Sequence, residues 1–128
     1  NLYISPPTIS QVASLAALDA KAELDGHVRS YAANRSRLLA ALKEAGFATV
    51  APADGAFYLY ADISPFGLDA GTFTKNLLEQ AGVAATPGLD FDPVEGKNWV
   101  RFSYAGARDE VSRAAEILTQ WCKKLARV

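Results

Sequence analysis

A single arginine, Arg101, stands inside the run Asn98–Gly106, NWVRFSYAG, a segment otherwise composed for burial. Read as a strand, alternation sends Trp99, Arg101 and Ser103 to one face and Val100, Phe102 and Tyr104 to the other. The second face is wholly apolar and belongs to a core. The first carries an indole, a guanidinium and a hydroxyl. A guanidinium there is a rigid fork of donors that suits a carboxylate held by two bonds. The competing reading is an internal ion pair, or an edge strand whose arginine reaches solvent, and spacing alone favours it.

The other chemistry-bearing residues form no such pattern. The stretch Thr86–Lys97, TPGLDFDPVEGK, reads as a long loop opened by the turn pair Pro87-Gly88. Its acids Asp90, Asp92 and Glu95 do not follow the calcium-loop spacing, so a solvated loop is expected rather than a metal site. Lys21, Lys43, Lys75, Lys97, Lys123 and Lys124 fall on polar helix faces or loops, where nothing would depress an amine pKa. His27 has no Asp–Ser constellation beside it. Cys122 lies on an apolar helix face and is expected to be an inert core thiol. Neither a Walker sequence nor G-x-G-x-x-G occurs. The residues alone therefore supply one candidate anion-binding arginine, no catalytic set, no cofactor-binding residue and no metal ligand set.

The elements that must position Arg101 belong to one domain of 128 residues, half of them apolar. With 13 basic and 14 acidic residues there is no excess of cations for a nucleic-acid partner. Apolar runs fall short of the roughly 18 residues a membrane span needs. One cysteine permits no internal disulfide, which suits a reducing, cytoplasmic compartment. The chain has no methionine, even at position 1, so a parent protein upstream is expected.

Pro6 and Pro7 precede a helix capped by Thr8, with Gln11 completing a capping box, and a break is expected near Asp19–Ala20. A second helix is expected over Lys21–Ala45, with Leu24, Val28, Tyr31, Leu38 and Leu42 inward and Gly46 as its stop. Short strands are expected at Phe47–Ala51 and Val83–Ala85. Ala56–Asp62, apolar on both faces, is expected as a central strand. Asp69 caps a helix over Ala70–Ala81, with Phe73, Leu77 and Leu78 inward and Gly82 as its stop. Asn98–Tyr104 is a strand, and Arg108–Ala126 a final helix with Val111, Ala114, Ala115, Leu118, Trp121, Cys122 and Leu125 inward. The result is an α+β, two-layer domain with a sheet of three or four strands covered by helices. The two long N-terminal helices lead into it as a bridge to something larger.

Four segments in order carry a family resemblance: ISPPTISQ (Ile4–Gln11), GAFYLYADIS (Gly55–Ser64), GVAATPGLDFDP (Gly82–Pro93) and VRFSYAG (Val100–Gly106). The chain resembles the C-terminal, small domain of the fold-type I, class I/II aminotransferases, which use pyridoxal 5′-phosphate. The resemblance covers essentially all 128 residues, with 1–19 as a lead-in segment and helix and 20–128 as the α+β core. It implies that Arg101 holds the substrate α-carboxylate. It also implies that Gly55, Phe57 and Tyr58 wall the substrate, and that Pro87 and Gly88 begin a covering loop. Tyr3 and Ile4 resemble a stretch that approaches the neighbouring subunit's site in a homodimer. The family's Schiff-base lysine, its partner for the pyridinium nitrogen and its phosphate cradle lie upstream, in a large domain. The resemblance thus implies a parent enzyme that moves an amino group between an amino acid and a 2-oxo acid, and an inactive isolated piece. Phe91-Asp92 departs from the family's F-G at that point.

Two other functions fit the same residues. One is a free-standing α+β module that senses a small carboxylate through Arg101. The other is a different pyridoxal phosphate reaction, β-elimination or acyl transfer, with the same arginine.

Overall fold

The structure is a computed structural model in which residues 5–125 are described. The chain divides into two compact units, 1–30 and 31–128. Tyr3 and Ile4 lie outside the described residues.

In the first unit, α1 spans Thr8–Asp19. The expected capping box is not formed. Pro7 occupies the N-cap position with no side chain bonded there, and Gln11 Nε2 donates instead to the Pro6 carbonyl at 2.8 Å. Because Pro7 already has the extended geometry that opens a helix, Thr8 becomes the first helical residue rather than the cap. The break arrives where expected, at Ala20, whose N–H donates to the Ala17 carbonyl. No residue of α1 is buried. Helix α2 spans Lys21–Ala45 and runs unbroken through Gly26; its residues from Tyr31 onward belong to the second unit. Its expected inward stripe fails in the first half: Leu24 and Val28 are exposed, and burial begins only at Asn34.

In the second unit, β1 (Tyr58–Asp62), β2 (Thr86–Pro87) and β3 (Trp99–Ser103) form an antiparallel sheet in the order β1-β3-β2. Helices α3 (Ala70–Ala81) and α4 (Arg108–Cys122) complete the unit. The strand expected to be central, β1, is an edge in this order, and β3 lies between the other two. Phe47–Ala51 is not a strand; it meets the outer side of β1 through one bridge, Val50 to Ala61. Pro52 follows directly and has no N–H to extend that pairing. The Val83–Ala85 strand is displaced to Thr86–Pro87. Pro87 is tolerated there because β2 is an edge strand.

The helices cover one face of the sheet. Leu59 and Ala61 of β1 and Val100 and Phe102 of β3 are buried with Leu38 and Leu42 of α2, Phe73 and Leu77 of α3, and Leu118 and Cys122 of α4. Leu78, expected inward, is exposed. Phe47 sets its ring edge-on to Phe66, Phe73 and Phe102, with centroids 4.9, 6.1 and 5.7 Å away. Asp69 caps α3 as expected, accepting from the Thr72 N–H at 2.9 Å, and Gly82 ends it at φ 68°. The fold is therefore α+β with a three-stranded sheet and one helix-covered face. Among the described residues, no helix is long and apolar enough to cross a membrane.

Candidate functional site

The other face of the sheet carries Tyr58 and Tyr60 from β1 and Trp99, Arg101 and Ser103 from β3. Register places Tyr60 opposite Arg101 and Tyr58 opposite Ser103. The predicted split of the Arg101 strand holds: Val100, Phe102 and Tyr104 are buried, while Arg101 is half-buried on the uncovered side.

A cavity of about 590 Å³ opens on this face, lined by Ala51, Pro52, Ala53, Gly55, Ala56, Tyr58, Tyr60, Phe91, Asp92 and Arg101. Three chain segments build it around the sheet. Arg35 of α2 donates to the Ala53 carbonyl at 2.6 Å and ties down the first. The Gly55–Phe57 turn is held from beneath by Tyr104: its N–H donates to Phe57 O at 2.8 Å, and its hydroxyl donates to Ala56 O at 3.2 Å. Ala56 has φ 58°, a left-handed backbone that costs a non-glycine residue about 1–2 kcal/mol. The third segment is the loop after β2. It is more ordered than sequence suggests, with 3-10 turns at Gly88–Asp90 and Gly96–Asn98. Asp92 organises it by accepting from the N–H groups of Val94 at 2.9 Å and Glu95 at 3.2 Å.

Arg101 has no carboxylate partner in this setting. The ion pairs among the described residues are Lys21–Asp25 and Lys123–Glu44, both away from the cavity. The guanidinium Nη2 donates to Thr86 Oγ1 at a long 3.4 Å, and the buried Nε has no partner. The group is held mainly by ring faces: its carbon lies 4.5 Å from the Phe91 centroid and 5.4 Å from that of Tyr58. Among the described residues, therefore, no internal salt bridge accounts for Arg101. Beside it, the Tyr60 ring stacks on Trp99 at 5.0 Å. Burial, and then the nearby Asp92 carboxylate, push the Tyr60 phenol above its ordinary pKa. A permanent cation with most of its donors free, in a largely apolar cavity, is suited to bind one carboxylate.

Of the residues expected at a site, Gly55, Tyr58 and Arg101 come together on the cavity wall. Phe57 is exposed and does not line it, although its ring meets that of Tyr58 edge-on at 5.8 Å. Pro87 and Gly88 also stand apart from the lining. Gly88 lies beneath Tyr60, where a Cβ would sit 2.4 Å from the phenol oxygen. Sequence reading did not place Tyr60, Phe91 or Asp92 among the substrate-binding residues, although it weighed Asp92 for metal and Phe91-Asp92 as a family position. Alternation could have found Tyr60, which shares the Tyr58 face; Phe91 stands in the GVAATPGLDFDP segment, but nothing in that segment ties it to Arg101.

Known proteins share this chain's sequence and fold. The model of the family "Aminotransferase class I and II" matches residues 1–118. Valine–pyruvate aminotransferase of Mycobacterium tuberculosis is 45% identical over 123 residues, covering 94% of this chain and 32% of the relative. The (5-formylfuran-3-yl)methyl phosphate transaminase of Methanocaldococcus jannaschii is 33% identical, covering 97% and 33%. The crystal structure of an aminotransferase from Mycobacterium tuberculosis superposes with TM-score 0.85 at 44% identity, over 94% of this chain and 32% of that one. The architecture is thus that of a part of a class I/II aminotransferase. The chain belongs to that family, and it spans about a third of the length of the curated relatives it matches.

Aminotransferases of this family use pyridoxal phosphate, which calls for a lysine amine and a cradle for its phosphate. The cavity is lined by no lysine, and its single cation is Arg101. All six lysines are exposed. The residues of this chain do not fit the cofactor on their own. Among the described residues, no group of three or more His, Cys, Asp or Glu is placed to hold a metal.

Proposed function

We propose that this chain is the C-terminal part of a pyridoxal phosphate-dependent aminotransferase that moves an amino group between an amino acid and a 2-oxo acid. Its own task is to take the substrate α-carboxylate on Arg101 and to close over a cofactor held chiefly by the parent's N-terminal large domain. Alone it does not transaminate. The observation that carries this reading is the Arg101 guanidinium, set in a largely apolar cavity with no carboxylate of the described residues paired to it. Two parallel bonds from that fork would fix the substrate's carboxylate plane, and with it the direction of the bonds at Cα. Gly55 and Tyr58 are the walls this substrate would meet, with Pro87 and Gly88 at the base of the covering loop. The small apolar residues Ala51, Ala53 and Ala56 suit a modest aliphatic side chain. Valine and pyruvate, named for the relative at 45% identity, are therefore the first pair to try.

The test is Arg101→Ala in the full-length parent. Losing one partner of a largely desolvated charge pair removes about 2–4 kcal/mol of transition-state binding, or roughly 30- to 1,000-fold in kcat/KM. An unchanged kcat/KM for amino-acid donors rejects the reading.

A further inference from the structure

We infer that Phe91 is a positioning residue for substrate binding: its ring, together with that of Tyr58, fixes the Arg101 guanidinium without neutralising it. The inference rests on the reading of Arg101 as the carboxylate anchor and extends it to a residue that does not itself bind the carboxylate.

An arginine side chain loses considerable rotamer freedom when held in one place, so something must hold it before substrate arrives. Proteins commonly use a carboxylate for this. Here a fixed carboxylate would occupy the N–H donors that the substrate needs, and the substrate would have to displace it. The structure shows a different solution. The guanidinium carbon lies 4.5 Å from the Phe91 centroid and 5.4 Å from that of Tyr58. Contact with a ring face attracts the cation yet uses none of its five N–H donors. Among the described residues, its one polar tether is the long bond to Thr86. Asp92, next to Phe91 in sequence and also on the cavity wall, is occupied by the N–H groups of Val94 and Glu95 instead of by Arg101.

The loop is built to hold Phe91 there. The N–H groups of Phe91 and Asp92 both donate to the Gly88 carbonyl at 2.9 Å, and the Gly96 N–H donates to Asp92 O at 3.0 Å. Gly88 and Gly96 pack backbone to backbone, so closely that a Cβ on Gly96 would sit 2.4 Å from Gly88 O. Phe91 is half-exposed and is not one of the buried residues of the core cluster. A core-packing role does not explain its position; the guanidinium beneath it does.

The experiment is a double-mutant cycle on kcat and KM in the full-length parent, using Phe91→Leu, Arg101→Ala, the pair, and Phe91→Tyr. Phe91→Leu is expected to raise KM for the amino-acid donor about 3- to 30-fold, the range of a cation–π contact, with a smaller change in kcat. In the Arg101→Ala background the same change should have no further effect, because nothing is left to position. Phe91→Tyr, which keeps a ring face, should restore wild-type KM. If Arg101→Ala leaves kcat/KM unchanged, the anchor reading fails and the inference with it. If Arg101→Ala is severe but Phe91→Leu is silent, equally harmful in both backgrounds, or not rescued by Tyr, the inference alone is overturned.

Discussion

Replacing Gly88 with alanine should destabilise this domain because the new methyl has nowhere to go. A Cβ there would sit 2.4 Å from Tyr60 Oη, 2.6 Å from Gly96 O and 2.7 Å from Trp99 O. All three lie well inside van der Waals contact. Two are backbone carbonyls, one in the 3-10 turn and one in the central strand β3, so neither can rotate aside. The third belongs to a phenol that can move only by leaving its stack on Trp99. Overpacking of this kind costs about 1–3 kcal/mol, and the rigid neighbours place Gly88→Ala toward the upper end. Gly55→Ala is the matched control: its Cβ would meet nothing within 4 Å, so the change should fall within about 0.5 kcal/mol of wild type. Equilibrium urea unfolding of the parent, followed by near-UV circular dichroism, compares the two. Adding Tyr60→Phe to Gly88→Ala removes the closest contact but leaves both carbonyls, so it should recover only part of the loss. Gly88→Ala should also raise the donor KM, because Phe91 hangs from the Gly88 carbonyl. A Gly88→Ala protein as stable as Gly55→Ala would refute the close-approach argument, and normal KM would refute the link to Phe91.

Two further outcomes test how the scaffold is held. Asn34 is buried in α2, and its Nδ2 donates to Tyr104 O and Gly106 O, both at 3.1 Å, at the end of β3. Asn34→Leu strips both carbonyls of a donor and should cost about 1–3 kcal/mol in urea unfolding; a neutral result would count against this anchor. Asp69→Ala removes the N-cap of α3 and should cost about 1 kcal/mol at pH 7. The Thr72 hydroxyl and N–H lower the Asp69 pKa from its ordinary 3.8. The cap's contribution is thus complete above pH 3.8 and is lost as pH falls through the lower folded value. The gap between wild type and Asp69→Ala in an acid-unfolding series should close over that window, and a gap that persists below it would contradict the assignment.

How far the site could be read from sequence depends on the range of the interactions that build it. Alternation is a property of adjacent residues, so the separation of Arg101 from Val100 and Phe102 was legible. Helix stops at Gly46 and Gly82, and the cap at Asp69, are equally local, and they stand where expected. The strand order was not local. Both faces of β1 look apolar in sequence, which suggested a central position. In the structure Leu59 and Ala61 face the core, while Tyr58 and Tyr60 face the cavity. Their aromatic character serves that open face, and β3 takes the centre. The four-motif resemblance supplied the family, and for Arg101, already marked by alternation, the anion it is expected to hold, both ahead of any geometry.

Phe91 marks where such reading ends. In sequence it belongs to the GVAATPGLDFDP segment of the resemblance, but no period and no cap says which side chain it meets. Its place over Arg101 depends on β2 pairing with β3, which sets Thr86 opposite Arg101, and on Gly88 meeting Gly96 eight positions away. The same contacts explain why Gly88 can matter to a site whose wall it does not form. It lets the loop fold flat against β3, and the flat loop brings a ring over the guanidinium. The segment GVAATPGLDFDP holds Pro87, Gly88 and Phe91 together, but only the folded loop shows that Phe91 is the one whose ring meets Arg101.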